Sequence, residues 1–342
     1  MQMLAACPGA RDGRKCADVS KPILEVKGLK KHFASNKGWF QPTSYVQAVN
    51  GIDLTVYEGE TLSIVGESGC GKSTTGRCIL RLLEPTAGEV RYRGQDLTKL
   101  SSKEMRAMRK ELQIVFQDPF ATLNPKLTIR SILEEPLIAQ QVPREKRAQI
   151  IEETIQIVGL TRAHLDRYPH QFSGGQRQRI GIARAIMLRP QLIVADEPVS
   201  ALDVSIQSQI LNLLQDLQEQ FGMTYIFISH DLGVVEHISD RVAVMYLGEI
   251  VELGRKEDLF ESPLHPYTRA LISAIPVTDP DEKKERIILQ GDLPSPANPP
   301  SGCRFHPRCH ACMDICKTEM PKETFIAGQM VRCHLYDEKR EG

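Results

Sequence analysis

Two hydrophobic periods alternate along this chain, and the exchange between them outlines a fold. ILEV (23–26) and VQAVNGIDLTV (46–56) have the composition and spacing of strands, with a loop containing Gly, Ser and Asn between about 36 and 44. TLSIV (61–65) is a short apolar run that enters a glycine-rich turn, after which the spacing turns helical from Lys72 to Leu83. LQIVF (112–116) is strand-sized, and a helical pattern follows from roughly Ser131 to Gly159. A second alternation runs through LIVAD (192–196), an amphipathic helix from Val204 to Gln220, TYIFI (224–228) and RVAVMY (241–246). Strands that alternate with helices predict an α/β protein with a mainly parallel sheet covered on both faces.

The helical block at about 118–190 interrupts that alternation and reads as a helical subdomain inserted in a domain spanning 21–255. Residues 1–20 are polar and aperiodic, an extension expected to be disordered. Beyond 255 the chain becomes proline-rich, and LPSPANPPSG (293–302) is expected to be a linker within a C-terminal extension, 256–342. A length of 342 residues fits one large domain or two to three compact ones.

Charge and targeting narrow the class. Lys and Arg number 43 and Asp and Glu 43, so the excess positive charge that favours nucleic-acid binding is missing. No apolar run nears the ~18–20 residues that span a bilayer, so a membrane role is expected to go through partners. MQMLAAC contains the Leu-Ala-Ala-Cys pattern of a lipoprotein cleavage site, but six residues before Cys7 leave no room for an export signal. The nine cysteines are therefore expected in a reducing compartment, where clustered thiols point to metal.

Gly66-Glu67-Ser68-Gly69-Cys70-Gly71-Lys72-Ser73-Thr74 fits GxxxxGK[ST] between a strand and a helix. Its backbone N–H groups can cradle phosphate, Lys72 can reach the β and γ phosphates, and the Ser73 hydroxyl can hold Mg²⁺. Cys70 reads as a small spacer in the loop and Cys78 as a core residue. Asp196 and Glu197 end the apolar strand LIVA, where open α/β sheets bind ligands. Asp196 is placed to hold Mg²⁺, and Glu197 to orient or deprotonate the attacking water. Ser173, with Gly174, Gly175 and Gln176, starts a helix with a basic first turn, a second anion site with Ser173 as N-cap.

Together these residues resemble the ATP-binding-cassette ATPases, over roughly 23–275. The resemblance implies a P-loop cassette, a mainly parallel sheet with an antiparallel part, and a head-to-tail dimer that sandwiches two ATPs. In it, SGGQ of one subunit closes over nucleotide held by the other subunit's phosphate loop. Gln117 in VFQDP is similar to the glutamine that contacts Mg²⁺ or the attacking water, Ser200 to Asp203 to the loop at the dimer contact, and His230 to the histidine that touches the γ-phosphate. Phe33 is the candidate for stacking on adenine, with Tyr45 as the alternative.

SPLHPYT (262–268), RALISAIP and the proline-rich segment resemble the C-terminal region of bacterial dipeptide and oligopeptide importer ATPases. That implies a partner ATPase, commonly related rather than identical, two membrane permease subunits, an external binding protein, and a peripheral place on the cytoplasmic face of the inner membrane. The rival readings are a soluble cassette ATPase acting on nucleic acid and an importer ATPase for another solute. From spacing alone Cys309, Cys312 and Cys316 are first-choice metal ligands, with zinc or iron–sulfur equally open and His306, His310 and His334 available to zinc. The resemblance instead selects Cys303, Cys309, Cys316 and Cys333, leaves Cys312 as an extra, and implies a [4Fe–4S] cluster.

Overall fold

Two long, half-buried strands open the described chain. β1 (Pro22–Ser35) and β2 (Ser44–Tyr57) pair antiparallel, and β4 (Ala87–Tyr92) and β5 (Gln95–Asp96) complete a sheet ordered β2-β1-β4-β5. The computed structural model describes residues 21–35, 44–275 and 286–337; the terminal extension 1–20, with its Leu-Ala-Ala-Cys pattern, lies outside them.

β3 (Thr61–Val65) is fully buried in a second sheet: Leu62, Ile64 and Val65 need apolar cover, and the buried hydroxyls of Thr61 and Ser63 are bonded to Gln218 and Ser239. It joins β6 (Leu112–Val115), β7 (Leu192–Asp196), β8 (Thr224–Ser229) and β9 (Arg241–Tyr246) in parallel pairing. β10 (Glu249–Arg255), β11 (Glu323–Ile326) and β12 (Gln329–Arg332) extend it antiparallel, giving β11-β12-β10-β9-β3-β8-β7-β6. β12 pairs with β10 through Met330 and Val331, so the C-terminal extension adds its own hairpin to the central sheet.

The helices are α1 (Lys72–Ile79), α2 (Ser102–Met108), α3 (Pro119–Thr122), α4 (Ile129–Ala139), α5 (Arg144–Ile157), α6 (Gly174–Ile186), α7 (Val204–Phe221), α8 (Leu232–Ile238), α9 (Lys256–Glu261), α10 (Pro266–Ser273) and α11 (Ile315–Thr318). Ile132 and Leu133 of α4, Ile151 and Ile155 of α5, and Ile180 and Ile186 of α6 share a core with Ile193 and Ala195 of β7. The helical block is thus anchored to the sheet. A second core lies between the two sheets and includes Cys70 and Cys78.

A third core joins the C-terminal extension to the sheet. Tyr246 meets Tyr267 and Phe305 edge-on, with centroids at 4.8 and 5.2 Å. Each such contact adds about 1 kcal/mol beyond the area it buries. Leu289 and Leu293 pack on the same cluster, and the Pro296 carbonyl accepts the Gln47 N–H at 2.9 Å. The stretch 293–302, expected to be a linker, therefore lies against β2.

α1 also differs from expectation, ending at Ile79 rather than Leu83. Arg81 takes a left-handed φ of 50°, its N–H and that of Leu82 return to the carbonyls of Cys78 and Arg77, and this closes the helix as a Schellman turn. Glu84 and the Leu97 carbonyl hold the Arg81 side chain, which offsets the cost of a non-glycine residue there.

Candidate nucleotide site

The loop between β3 and α1 is wound so tightly that side chains are excluded at two of its glycines. A Cβ on Gly66, at φ 151°, would stand 2.2 Å from the Met245 carbonyl oxygen, and one on Gly71, at φ 106°, 2.0 Å from that of Ala48. Lys72 is buried, and its Nζ donates to the carbonyls of Gly66 at 2.7 Å and Glu67 at 3.0 Å. Cys70 is buried behind the loop with its thiol pushed up by burial, which suits the spacer expected there.

Ser73, at the start of α1, donates its hydroxyl to Asp196 Oδ1 at 2.6 Å, and Arg77 reaches Asp196 Oδ2 at 3.4 Å. Asp196 is 1% exposed at the end of β7. A hydroxyl and a buried carboxylate side by side are the hard oxygen donors Mg²⁺ selects, so these two residues fit that ion.

Glu197 follows at φ 48°, a left-handed conformation that costs a non-glycine residue about 1–2 kcal/mol and is tolerated where function needs it. Its N–H donates to the Ile228 carbonyl at 2.9 Å, which turns its side chain out of the sheet end. Gln117 Nε2 donates to Glu197 Oε2 at 2.8 Å, and His230 Nδ1 stands 3.2 Å from the same oxygen. Gln117 and His230, far apart in the sequence, thus converge on the Glu197 carboxylate.

These groups face a cleft of ≈ 690 Å³ whose floor is Gly66 to Gly69 and Gly71 to Thr74 and whose rim includes Gln117, Glu197 and His230. Val46, Ala48, Leu271 and Pro296 form an apolar wall that the sequence reading missed. Phe33 does not line the cleft, but it pairs directly with Val46 and therefore lies beside it on the same sheet face, under the Lys31 ammonium at 5.1 Å. Tyr45, one residue before Val46, projects from the opposite face and is exposed.

Ser173 caps α6: its hydroxyl accepts the Gln176 N–H at 3.4 Å while Gln176 Oε1 accepts the Ser173 N–H at 3.1 Å. A Cβ on Gly175 would come within 2.5 Å of the Ile206 side chain on α7. The glycine pair thus lets α6 and α7 approach closely while leaving an exposed helix N-terminus. Ser173 to Gln176 do not line the chain's own cleft, and the exposed Ser200 and Asp203 lie near the head of α7, where Val204 is 77% exposed.

Residues 49–200 match the family model described as ABC transporter, and 251–316 match that of the oligopeptide/dipeptide transporter C-terminal region. The chain is 55% identical to the oligopeptide transport ATP-binding protein AppF of Bacillus subtilis (strain 168), over 92% of this chain and 97% of that one. It belongs to the ABC transporter ATPases, in the oligopeptide/dipeptide branch. The dipeptide transport ATP-binding protein DppF of Escherichia coli (strain K12) is 50% identical, over 94% of this chain and 97% of that one. Among solved structures, the ATP-binding cassette MJ0796, a dimer bound to ADP and Pi after hydrolysis, aligns with a TM-score of 0.61 at 31% identity, covering 68% of this chain and 98% of that one. The cassette ATPase fold and an ATP-hydrolysing role in transport follow.

Of the C-terminal cysteines of this ABC ATPase, Cys303 and Cys309 pack against the third core. Cys303 N–H donates to the Cys316 carbonyl at 2.9 Å, and the thiols of Cys303 and Cys333 each lie within electrostatic reach of those of Cys309 and Cys316. The Cys312 thiol faces the Met313 carbonyl at 3.5 Å and also lies within reach of the thiols of Cys316 and Cys309. His334 engages Asp337 through Nδ1 and the Glu319 carbonyl through Nε2, so neither nitrogen is free for the zinc shell considered above. Among the described residues no three His, Cys, Asp or Glu side chains are arranged to hold a metal ion as they stand, and no disulfide forms.

Proposed function

We propose that this ABC ATPase powers the uptake of di- and oligopeptides through partner membrane subunits. A complete hydrolytic site, together with a C-terminal region of the oligopeptide/dipeptide type, carries this reading. The signature helix N-terminus stands outside its own cleft, which supports a head-to-tail pair with two ATPs between subunits, and we assign the second place to a related chain. No helix among the described residues is long and apolar enough to cross a membrane. In this reading the chain sits at the cytoplasmic face of the inner membrane, two permease subunits span the bilayer, and a binding protein delivers peptide from outside. A second cleft of ≈ 630 Å³, lined by Arg81, Arg106, Arg109, Pro136 and Gln140, offers the permease a basic surface between α2 and α4.

In the sandwiched site Lys72 exchanges the Gly66 and Glu67 carbonyls for β and γ phosphate oxygens. Ser73 and Asp196 would hold Mg²⁺, which neutralises phosphate charge. Glu197 accepts a proton from the attacking water, held in line by Gln117 and His230. Ser173, Gly174 and Gly175 of the partner donate to the γ-phosphate, and Phe33 stacks on the adenine beside Val46. Binding of ATP closes the pair and switches the permease; hydrolysis resets it.

The four thiols of Cys303, Cys309, Cys316 and Cys333 fit a [4Fe–4S] cluster by donor chemistry, since each is soft and the set converges from three segments of one fold. Zinc, which draws sulfurs to about 2.3 Å of a single point, is the alternative. When bound, such a group ties Cys333 and its hairpin to the 303–316 segment.

Reconstitution with co-expressed permease subunits and a peptide-loaded binding protein tests the main reading. ATP hydrolysis should rise several-fold with the dipeptide-loaded binding protein. Failure to associate with permeases, combined with tight DNA binding at physiological salt, would return the chain to the nucleic-acid class.

A further inference from the structure

The segment that carries the cysteines also grips the phosphate loop. Glu67, the second residue of that loop, is held at three points. Its N–H donates to the Tyr267 hydroxyl at 2.9 Å, its carbonyl accepts Lys72 Nζ at 3.0 Å, and its carboxylate receives Nη1 and Nη2 of Arg308 at 2.6 and 3.0 Å. Tyr267 and Arg308 lie 200 and 241 residues further along the chain. The Arg308 side chain is 8% exposed and that of Glu67 30%, so the guanidinium of this two-pronged pair is shielded from solvent and the carboxylate partly so.

Arg308 is itself rigidly placed. Phe305 is buried against Tyr246, Tyr267 and His265. Arg304 bonds Glu249 at 2.8 Å, the Leu247 carbonyl at 2.5 Å and Gln47 Oε1 at 2.7 Å, and Gln47 sits between the cleft residues Val46 and Ala48. Cys309 comes next in the chain, which places a thiol of the proposed cluster one residue from the guanidinium that holds the loop.

We propose that Arg308 is a positioning residue of the nucleotide site, which through Glu67 keeps the phosphate loop in its receiving form. A loop that binds through backbone N–H groups works only while those groups converge, and a loop that must be ordered on binding loses affinity in proportion to the fraction of time it is correctly formed. Glu67 is the residue whose carbonyl also holds Lys72, so fixing its side chain fixes the lysine's resting partner. The C-terminal segment thereby acts on ATP binding from outside the cleft. This rests on the ATP site alone and is independent of the cargo.

The test uses full-length R308A, E67A and the double variant, with the Kd for a non-hydrolysable ATP analogue and the KM and kcat for ATP. Each single change is expected to weaken binding about tenfold. The double should be no weaker than the worse single, because the two act through one another. KM should rise with kcat within about twofold, and R308K should recover part of the loss, since an ammonium cannot match the planar fork. Wild-type affinity in R308A, or losses that multiply in the double, would overturn the proposal, as would an effect on kcat alone. Where R308A does not fold, R308Q and R308K replace it in the same cycle.

Discussion

The phosphate loop takes its shape largely from its own glycines and Lys72, whereas the cysteine segment takes its shape from partners such as Leu247 and Gln47, 57 and 257 positions away. One is built mainly from contacts within nine consecutive residues. The other exists only after the sheet is assembled. Where they touch, at Arg308 and Glu67, the long-range element braces the local one, so changes on the two sides should separate into chemistry, metal content and stability.

The largest separation is expected from Glu197→Gln. Removing the proton acceptor should lower hydrolysis about 10³-fold while ATP still binds and still closes the dimer. That is the reverse of the Arg308 phenotype, and single-turnover rates beside equilibrium binding would distinguish them. Retained hydrolysis would remove Glu197 from its role and leave His230, 3.2 Å from it, as the group to examine.

On the tail, Cys316→Ser should abolish bound metal, and Cys312→Ser should leave it intact, because Cys312 stands outside the proposed set of Cys303, Cys309, Cys316 and Cys333 even though its thiol lies beside that of Cys316. Iron and sulfide per chain after anaerobic purification check this. Stoichiometric zinc without iron would replace the cluster, and equal loss in both variants would redraw the ligand set.

Legibility followed the same division. TLSIV, LIVAD and RVAVMY became β3, β7 and β9 residue for residue, because strands buried on both faces are continuous apolar runs bounded by polar or glycine residues. AGEVRY, ETFI and QMVR carried no such signal: β4 and β11 are partly exposed, β4 and β12 pair with edges built elsewhere, and β11 pairs with β12. The reactive groups of the cleft were legible since each sits on a short motif at a strand or helix end. Its wall of Val46, Ala48, Leu271 and Pro296, and the brace at Arg308, were not, because only the folded chain brings those segments together.

The smallest effect concerns acid. His265 is 1% exposed; its N–H donates to Glu252 at 2.9 Å and its Nδ1 caps α10 by accepting the Tyr267 N–H at 3.1 Å. Burial, aided by Arg269, pushes the imidazole from 6.5 down to about 3. Above pH 6.5 the ring is neutral in both folded and unfolded chains and its contribution is complete. As pH falls from 6.5 toward 3 the unfolded chain gains a proton that the folded one refuses, so stability falls by up to about 1.4 kcal/mol per pH unit. Glu252, which faces His265 and is raised by burial, acts with the opposite sign, since its folded form holds a proton longer than the unfolded chain does above pH 4.5. His265→Asn can still cap the helix without titrating, so subtracting its urea-unfolding profile from that of the wild type isolates the histidine. Between pH 6.5 and 5 that difference should change steadily against the wild type, while the ATP affinity of the folded chain should be unaffected by this residue, because its ring stays neutral there. A flat difference would mean that the folded chain takes up the histidine's proton as readily as the unfolded one, and burial would then not govern this site.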